Sequence, residues 1–264
     1  QATFGIIGVG GIAQSQHLPN MTRAPHVRLK TLCDLNEDLL GQMQQKYGVS
    51  ETTTDYQQLL ADDEIDAVII ASPSEVHYEQ TMASLDAGKH VLVEIPLTMS
   101  LTSSQRVAAR AREAGRNVMV AHTERFIDTR LFTKQFLASG EAGAIYHHQI
   151  YSFSYRHQNV GWTGYQRSWV DDVVFHHGCH LVDFSRWTVG APVRRVRGEI
   201  SPKHPVNDTS MDVSLLIRYE NETMATISLS YNAPQGATGN RYLCEKGVLE
   251  IDGKTVRFGG KTVF

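Results

Sequence analysis

Short apolar runs separated by amphipathic stretches fill the first 121 residues. Phe4–Ile7, Val27–Cys33, Asp66–Ala71, His90–Glu94 and Val118–Ala121 are rich in Val, Ile and Leu, which predicts strands buried in a parallel sheet. Between them, Ile12–Met21, Asn36–Tyr47, Asp55–Leu60, Glu75–Ala87 and Thr102–Ala114 carry apolar residues at helical spacing. Asn36 is suited to cap its helix, and Gly88 and Gly115 stop theirs. Such alternation implies an α/β domain with a doubly wound parallel sheet, whose ligands bind outside the carboxyl ends of the strands. Gly8, Asp34, Ser72, Glu94 and His122 all fall at those ends.

Past His122 the pattern changes. Arg125–Ser139 reads as a helix, and Ile145–Tyr155 alternates like a strand with one exposed face. Phe175–Trp187 is helical in period, with Leu181, Phe184 and Trp187 on one side. Val193–Ile200, Met211–Tyr219 and Thr223–Tyr231 read as strands, the last two joined by the turn Glu220-Asn221-Glu222. This is an α+β domain with an open, mostly antiparallel sheet. The expected division is residues 1–123 and 124–264. Gln1 leads almost directly into a strand and Phe264 lies inside a Gly-turn and strand pattern, so the second domain is expected to be incomplete at its C-terminus.

Composition narrows the function. Of 264 residues, 41% are hydrophobic and 20% charged, as in soluble globular proteins. A net charge of −3 without a long basic block argues against nucleic acid as partner. Apolar runs such as Ala67–Ala71 are far too short to span a bilayer. Three widely spaced cysteines, Cys33, Cys179 and Cys244, give no disulfide framework and fit a cytoplasmic location. Histidine, with twelve copies, is the outlier.

The first apolar run ends in Gly8-Val9-Gly10-Gly11-Ile12-Ala13. Small residues at this turn let a strand pass into a helix with its N–H groups bare for a pyrophosphate. Asp34 ends the next strand, roughly 20 residues on, where a carboxylate accepts hydrogen bonds from ribose hydroxyls. Together they predict a dinucleotide-binding Rossmann domain. Asp34 repels a 2′-phosphate, so NAD is favoured, with NADP the alternative. Ser72, Pro73 and His77 follow the fourth strand, and Glu94 and Ile95 follow the fifth. They are candidate cofactor contacts, although Pro73 and Ser74 also suit a purely structural loop.

The order GxGxxA, Ser72-Pro73-x-x-x-His77, Glu94-Ile95-Pro96, His122-Thr-Glu-Arg125-Phe126 and a histidine-bearing helix resembles the glucose–fructose oxidoreductase / inositol dehydrogenase / MocA family of nicotinamide enzymes. The resemblance covers nearly the whole chain. It implies a Rossmann domain, a C-terminal α+β domain and self-association into a homodimer or homotetramer through the open sheet. In that family the middle residue of the E-K-P turn is a lysine that moves a proton or donates to substrate. Here it is Ile95, which can do neither. Family members also carry a D-x-G-x-H-x-x-D helix; this chain has His176-His177-Gly178-Cys179-His180-Leu181-Val182-Asp183. With Arg167-Ser168-Trp169, these motifs are similar to a branch comprising 4-carboxy-2-hydroxymuconate-6-semialdehyde dehydrogenases and enzymes of 4,5-dihydroxyphthalate breakdown. That implies a small anionic substrate from aromatic-ring degradation.

The histidines fit three readings. His176 and His180, spaced i, i+4, share a helix face, and His177 neighbours His180. With Asp183 or His122 they have the donor types of a metal site, but no HExxH or paired Cys accompanies them, so no metal is expected. Packing alone is the second reading. The third, which is favoured, is acid/base chemistry in which His180 or His176 replaces the missing lysine and Asp183 orients His180. Arg125, Arg156 and Arg167 are candidate partners of substrate carboxylates, Tyr155 beside Arg156 is a further substrate-binding candidate, and Trp162 and Trp169 are candidate walls for a flat substrate. The expected reaction is hydride transfer from a hydroxyl-bearing carbon. A decarboxylase of a dihydroxylated aromatic dicarboxylate and a non-catalytic nucleotide sensor are the alternatives.

Overall fold

The computed structural model describes residues 1–161, 163–169 and 172–264; Trp162, a candidate substrate wall, lies outside the described residues. The chain divides into two units. One comprises Gln1–Ala121 with Val160–Val170, the other His122–Asn159 with Asp171–Phe264. The sequence places residues 160–170 and the pair His122-Thr123 differently: the former in the second domain, the latter in the first. Local pattern does not say onto which unit a connecting segment folds.

In the first unit β1 (Ala2–Ile7), β2 (Val27–Cys33), β3 (Glu51–Thr53), β4 (Ala67–Ile70), β5 (His90–Val93) and β6 (Val118–Val120) form a parallel sheet in the order β3-β2-β1-β4-β5-β6. The order reverses between β1 and β4, which makes their carboxyl ends the ligand crevice of such a sheet. Successive residues face opposite sides. Ile7, Val68 and Ile70 join one core with Leu85, Val107 and Ala111, while Ile6, Leu32 and Ile69 join another with Leu18, Leu40 and Met43. These partners come from helices α1 (Leu18–Arg23), α2 (Glu37–Tyr47), α4 (His77–Asp86) and α5 (Leu101–Ala114); the short α3 (Tyr56–Leu60) follows β3. The Asn36 side chain accepts from the Leu39 N–H at 3.0 Å and caps α2. Gly115, at φ 63°, ends α5 in a left-handed turn that a side chain would disfavour.

The helix after the glycine turn is not regular. Ala13–His17 forms a π-helical turn that runs into α1. A π-turn inserts one extra residue into the helical repeat, and composition carries no mark of it.

In the second unit β7 (Ile145–Tyr155), β8 (Val193–Ile200), β9 (Asp212–Tyr219), β10 (Met224–Ser230), β11 (Asn232–Cys244), β12 (Gly247–Asp252), β13 (Thr255–Phe258) and β14 (Lys261–Thr262) pair in the order β14-β13-β12-β11-β7-β10-β9-β8. The β7–β10 pair is parallel and the rest antiparallel. β11 slips register against β7 between Asn232 and Ala237, where Pro234 has no N–H for the ladder. The expected helix Arg125–Ser139 is split: a 3-10 turn, Thr123–Phe126, is followed by an extended Ile127 and then α6 (Asp128–Ala138). The histidine-bearing segment is split too, into a π-turn at Val174–Gly178 and α7 (Cys179–Val189).

α7 is fastened to the sheet by polar contacts. His148, on the buried face of β7, is fully inside, and burial pushes its imidazole down to about 3. The neutral ring suits its partners. Its Nε2–H donates to Asn240 Oδ1 at 3.0 Å and its Nδ1 lies 2.9 Å from Ser185 Oγ, which lies 2.8 Å from Tyr219 OH. Thr188 Oγ1 lies 2.8 Å from Tyr242 OH, and the Tyr242 ring stacks on His148 at 4.0 Å.

Candidate functional site

In the first unit Gly8 is required by packing. Its φ is +90°, and a Cβ there would lie 2.6 Å from Ser72 N and 2.7 Å from the Ala71 carbonyl. Gly10 differs: a Cβ would meet nothing within 4 Å. No neighbouring atom demands glycine at that position, whereas a ligand approaching the backbone does, so the turn fits a dinucleotide pyrophosphate. Ile12 packs on the core beside β1, which leaves the turn's backbone to meet the ligand. Asp34 is held ready: Oδ2 accepts from Val9 N–H at 2.8 Å and Oδ1 from Asn36 N–H at 3.0 Å. Each oxygen keeps a lone pair for a ribose hydroxyl. Leu35 beside it is 87% exposed.

The ends of β4 and β5 are more internally engaged than the sequence suggests. Ser72 Oγ donates to Gln80 at 2.6 Å, and Pro73 leads into the 3-10 turn Ser74–Val76. His77, expected on the cofactor, is 1% exposed, with Nδ1 2.8 Å from the Pro96 carbonyl and Nε2 2.9 Å from the Ser72 carbonyl. It braces two loops instead. Glu94 Oε1 lies 2.7 Å from His17 Nε2 on the π-turn, with both side chains close to nine-tenths buried. Ile95 between Glu94 and Pro96 is half-buried. His17 and Gln80 are absent from the sequence-based site. A polar Gln14-Ser-Gln-His17 run on a helix entering a buried layer was the available signal for the first. Arg167 and Trp169 belong to the segment grouped with this unit, where the Ser168 hydroxyl donates to the Glu75 carboxylate.

In the second unit the histidine rings meet in two pairs, one on the π-turn and one between α7 and His122. The His176 and His177 rings lie 4.7 Å apart, and His177 meets Tyr231 at 5.4 Å. His180 meets His122 edge-on, with centroids 6.1 Å apart. Asp183, expected to orient His180, is bound by Arg125 through Nε at 2.7 Å and Nη2 at 2.6 Å. The same geometry corrects Arg125, whose fork closes on this internal carboxylate rather than standing open for a substrate. Bonding to Asp183 raises Arg125 above its ordinary range. His122 Nε2 is 3.9 Å from Asp183 Oδ1, too far for a hydrogen bond, and His122 Nδ1 is buried without a partner among the described residues. Burial holds the His122 imidazole below its usual value; Asp183 opposes this, while His180 and Arg125 reinforce it.

At the end of β7, Arg156 is bound to Asn159 Oδ1 and lies 5.5 Å from the Tyr231 ring centre. Tyr155 is exposed and its ring lies 4.4 Å from His157, which in turn lies 4.7 Å from His204. Arg156 and His177 thus meet the same tyrosine. Among the described residues no three His, Cys, Asp or Glu side chains are grouped to hold a metal ion, and no helix is long and apolar enough to cross a membrane.

Comparison with known proteins agrees with the glycine turn and the two-unit fold. Residues 2–122 match the model of an oxidoreductase family with an NAD-binding Rossmann fold, and residues 129–255 match that of bacterial oxidoreductase C-terminal domains. The chain is 33% identical over 248 residues to 4-carboxy-2-hydroxymuconate-6-semialdehyde dehydrogenase of Sphingobium sp., covering 92% of this chain and 77% of that protein. It is 26% identical to 1-carboxy-3-chloro-3,4-dihydroxycyclo hexa-1,5-diene dehydrogenase of Comamonas testosteroni, covering 86% and 57%. The fold matches scyllo-inositol dehydrogenase from Lactobacillus casei, solved with NAD(H) and scyllo-inositol. That match has a TM-score of 0.81 at 23% identity, over 96% of this chain and 76% of the other. The glycine turn, Asp34 and these matches agree: the chain belongs to the Gfo/Idh/MocA family of NAD(P)-dependent oxidoreductases, with an NAD-binding Rossmann domain.

Proposed function

We propose that the chain is a dehydrogenase of a carboxylated intermediate of aromatic-ring degradation, and that His180 is its acid/base. A cyclic hemiacetal of a carboxylated semialdehyde is a substrate of the right kind, with a hydroxyl-bearing carbon and anionic groups. The observation that carries this reading is the His122–His180 pair on the second unit, in a chain whose Glu94-Ile95-Pro96 turn has no proton-moving side chain. The relatives named for carboxylated ring-derived substrates support the substrate class.

NAD supplies the hydride acceptor when bound, held by the Gly8–Gly10 turn and Asp34. His180 takes the hydroxyl proton. His122 beside it, kept neutral by burial, adds no positive charge to oppose that transfer. Asp183 is fixed by Arg125 and holds the start of α7 steady. Arg156 and Tyr155 at the end of β7, with His176 and His177, supply donors for substrate carboxylates. The sheet face bearing Tyr151, Phe153 and Leu216 joins a second copy of the chain in a homodimer.

The decisive assay incubates the protein with NAD, and separately NADP, and carboxylated ring-cleavage semialdehydes, recording reduced nicotinamide and carbon dioxide. Reduced NAD without carbon dioxide is expected. Carbon dioxide without reduced cofactor would replace the dehydrogenase reading with a decarboxylase. Light scattering of Leu216→Asp tests the homodimer: a monomer is expected, and an unchanged mass removes that interface.

A further inference from the structure

The π-turn at Ala13–His17 follows the glycine turn directly, so its shape sets where the pyrophosphate-facing backbone lies. A π-turn is less favourable than an α-turn and persists where other contacts hold it. Two such contacts are present. Gln14 Nε2 donates to the Val9 carbonyl at 2.9 Å, and His17 Nε2 meets Glu94 Oε1 at 2.7 Å. The second reaches across the sheet from the helix that follows β1 to the end of β5.

This bond closes a ring of links around the carboxyl ends of β1, β4 and β5. Gly8 abuts the Ser72 backbone, the Ser72 carbonyl meets His77, and His77 meets the Pro96 carbonyl. Pro96 lies two residues beyond Glu94, and Glu94 meets His17, which returns the ring to the helix beginning at the glycines. His17 and Glu94 are 11% and 12% exposed, so the pair is shielded from water, where a hydrogen bond to a carboxylate is strong. Glu94 N–H also donates to the Ile70 carbonyl at 2.9 Å, which fixes the backbone behind the carboxylate.

We propose that His17 is a positioning residue for the dinucleotide, acting through Glu94 to hold the glycine turn and the Glu94-Ile95-Pro96 segment in one fixed relation. No substrate enters this proposal, so it stands apart from the acid/base assignment to His180. The glycine turn and Asp34 touch the cofactor; His17 keeps the turn where those contacts can form.

The test is NADH binding by fluorescence titration without substrate, for His17→Ala, Glu94→Ala, the double variant and His17→Gln, each with its melting temperature. His17→Ala and Glu94→Ala are each expected to weaken NADH binding about tenfold, which is about 1.4 kcal/mol. The double variant should bind no more than about twofold worse than the weaker single, because both changes remove one link. His17→Gln, whose amide can still donate to Glu94, should recover to within about threefold of wild type. A His17→Ala protein with a lowered melting temperature but NADH binding within about twofold of wild type would make the bond purely structural and overturn the proposal. Additive losses in the double variant would overturn it too, by making Glu94 a cofactor contact independent of His17. If His17→Ala does not fold, Glu94→Ala and His17→Gln decide: tight NADH binding by Glu94→Ala defeats the proposal, and weak binding with recovery in His17→Gln sustains it.

Discussion

Each unit enters one of its chemistry-bearing helices through a π-turn, at Ala13–His17 and at Val174–Gly178, yet the histidines beside the two turns stand in opposite situations. His17 is bonded to a carboxylate, Glu94, and most of what its ring can do is spent on holding that contact. In the second unit the nearby carboxylate, Asp183, is closed on Arg125 by two hydrogen bonds, and His180 faces the His122 ring. The guanidinium makes the difference. Arg125 occupies both oxygens of Asp183, so that carboxylate is not spent on a histidine ring as Glu94 is on His17. The same local device serves holding in one unit and, in the proposed reaction, proton transfer in the other.

The largest expected effect separates these two roles. His180→Ala should lower turnover on the order of 100-fold or more while leaving NADH binding within about twofold of wild type. Steady-state kinetics beside NADH titration measures both. Equal losses in turnover and NADH binding would erase the distinction between His17 and His180, and a turnover loss under about threefold would return His180 to packing.

The next effect tests the arginine. Asp183→Asn keeps the side chain's size but removes the charge that Arg125 grips. Hydrogen bonds to charged groups contribute about 1.5–3 kcal/mol. Arg125 is 41% exposed and can regain water, so the loss of stability should be about 1.5 kcal/mol, at the low end. Urea unfolding measures it. A loss below about 0.5 kcal/mol would mean that the clamp does not hold α7.

The two units also differ in how far their sequence discloses them. Strands of the first unit are legible because a parallel strand buried on both faces must be apolar throughout, as Ala67–Ile70 is. Asn36 and Gly115 are legible because capping is settled within a few residues. The glycine turn and Asp34 follow from spacing alone. The π-turns are not legible, since one inserted residue leaves the apolar period nearly unchanged. Partners of polar side chains are hidden for a different reason. Arg125 and Asp183 are 58 residues apart, and His17 and Glu94 are 77 apart, so only tertiary structure shows that each pair is closed. The resemblance to the family marked Asp183 and Glu94 as important, but it could not say that Arg125 and His17 already hold them.

The smallest effect concerns His148, which, unlike His17, is buried among neutral partners. Its folded-state value of about 3 lies below the 6.5 of an ordinary histidine, so between those limits the unfolded chain binds the extra proton. Stability from this group is therefore complete above pH 6.5 and falls as the solution is acidified toward 3. From pH 6.5 to 5.5 the loss comes to about 1 kcal/mol, given a limiting slope of about 1.4 kcal/mol per pH unit. His148→Gln is expected to be less stable at every pH, because the amide cannot reproduce both contacts to Ser185 and Asn240. The informative quantity is the slope: urea unfolding at pH 6.5 and 5.5 should show the variant losing about 1 kcal/mol less than the wild type over that interval. Equal slopes would mean that His148 takes up its proton in the folded protein. The contact that fastens α7 would then be an imidazolium.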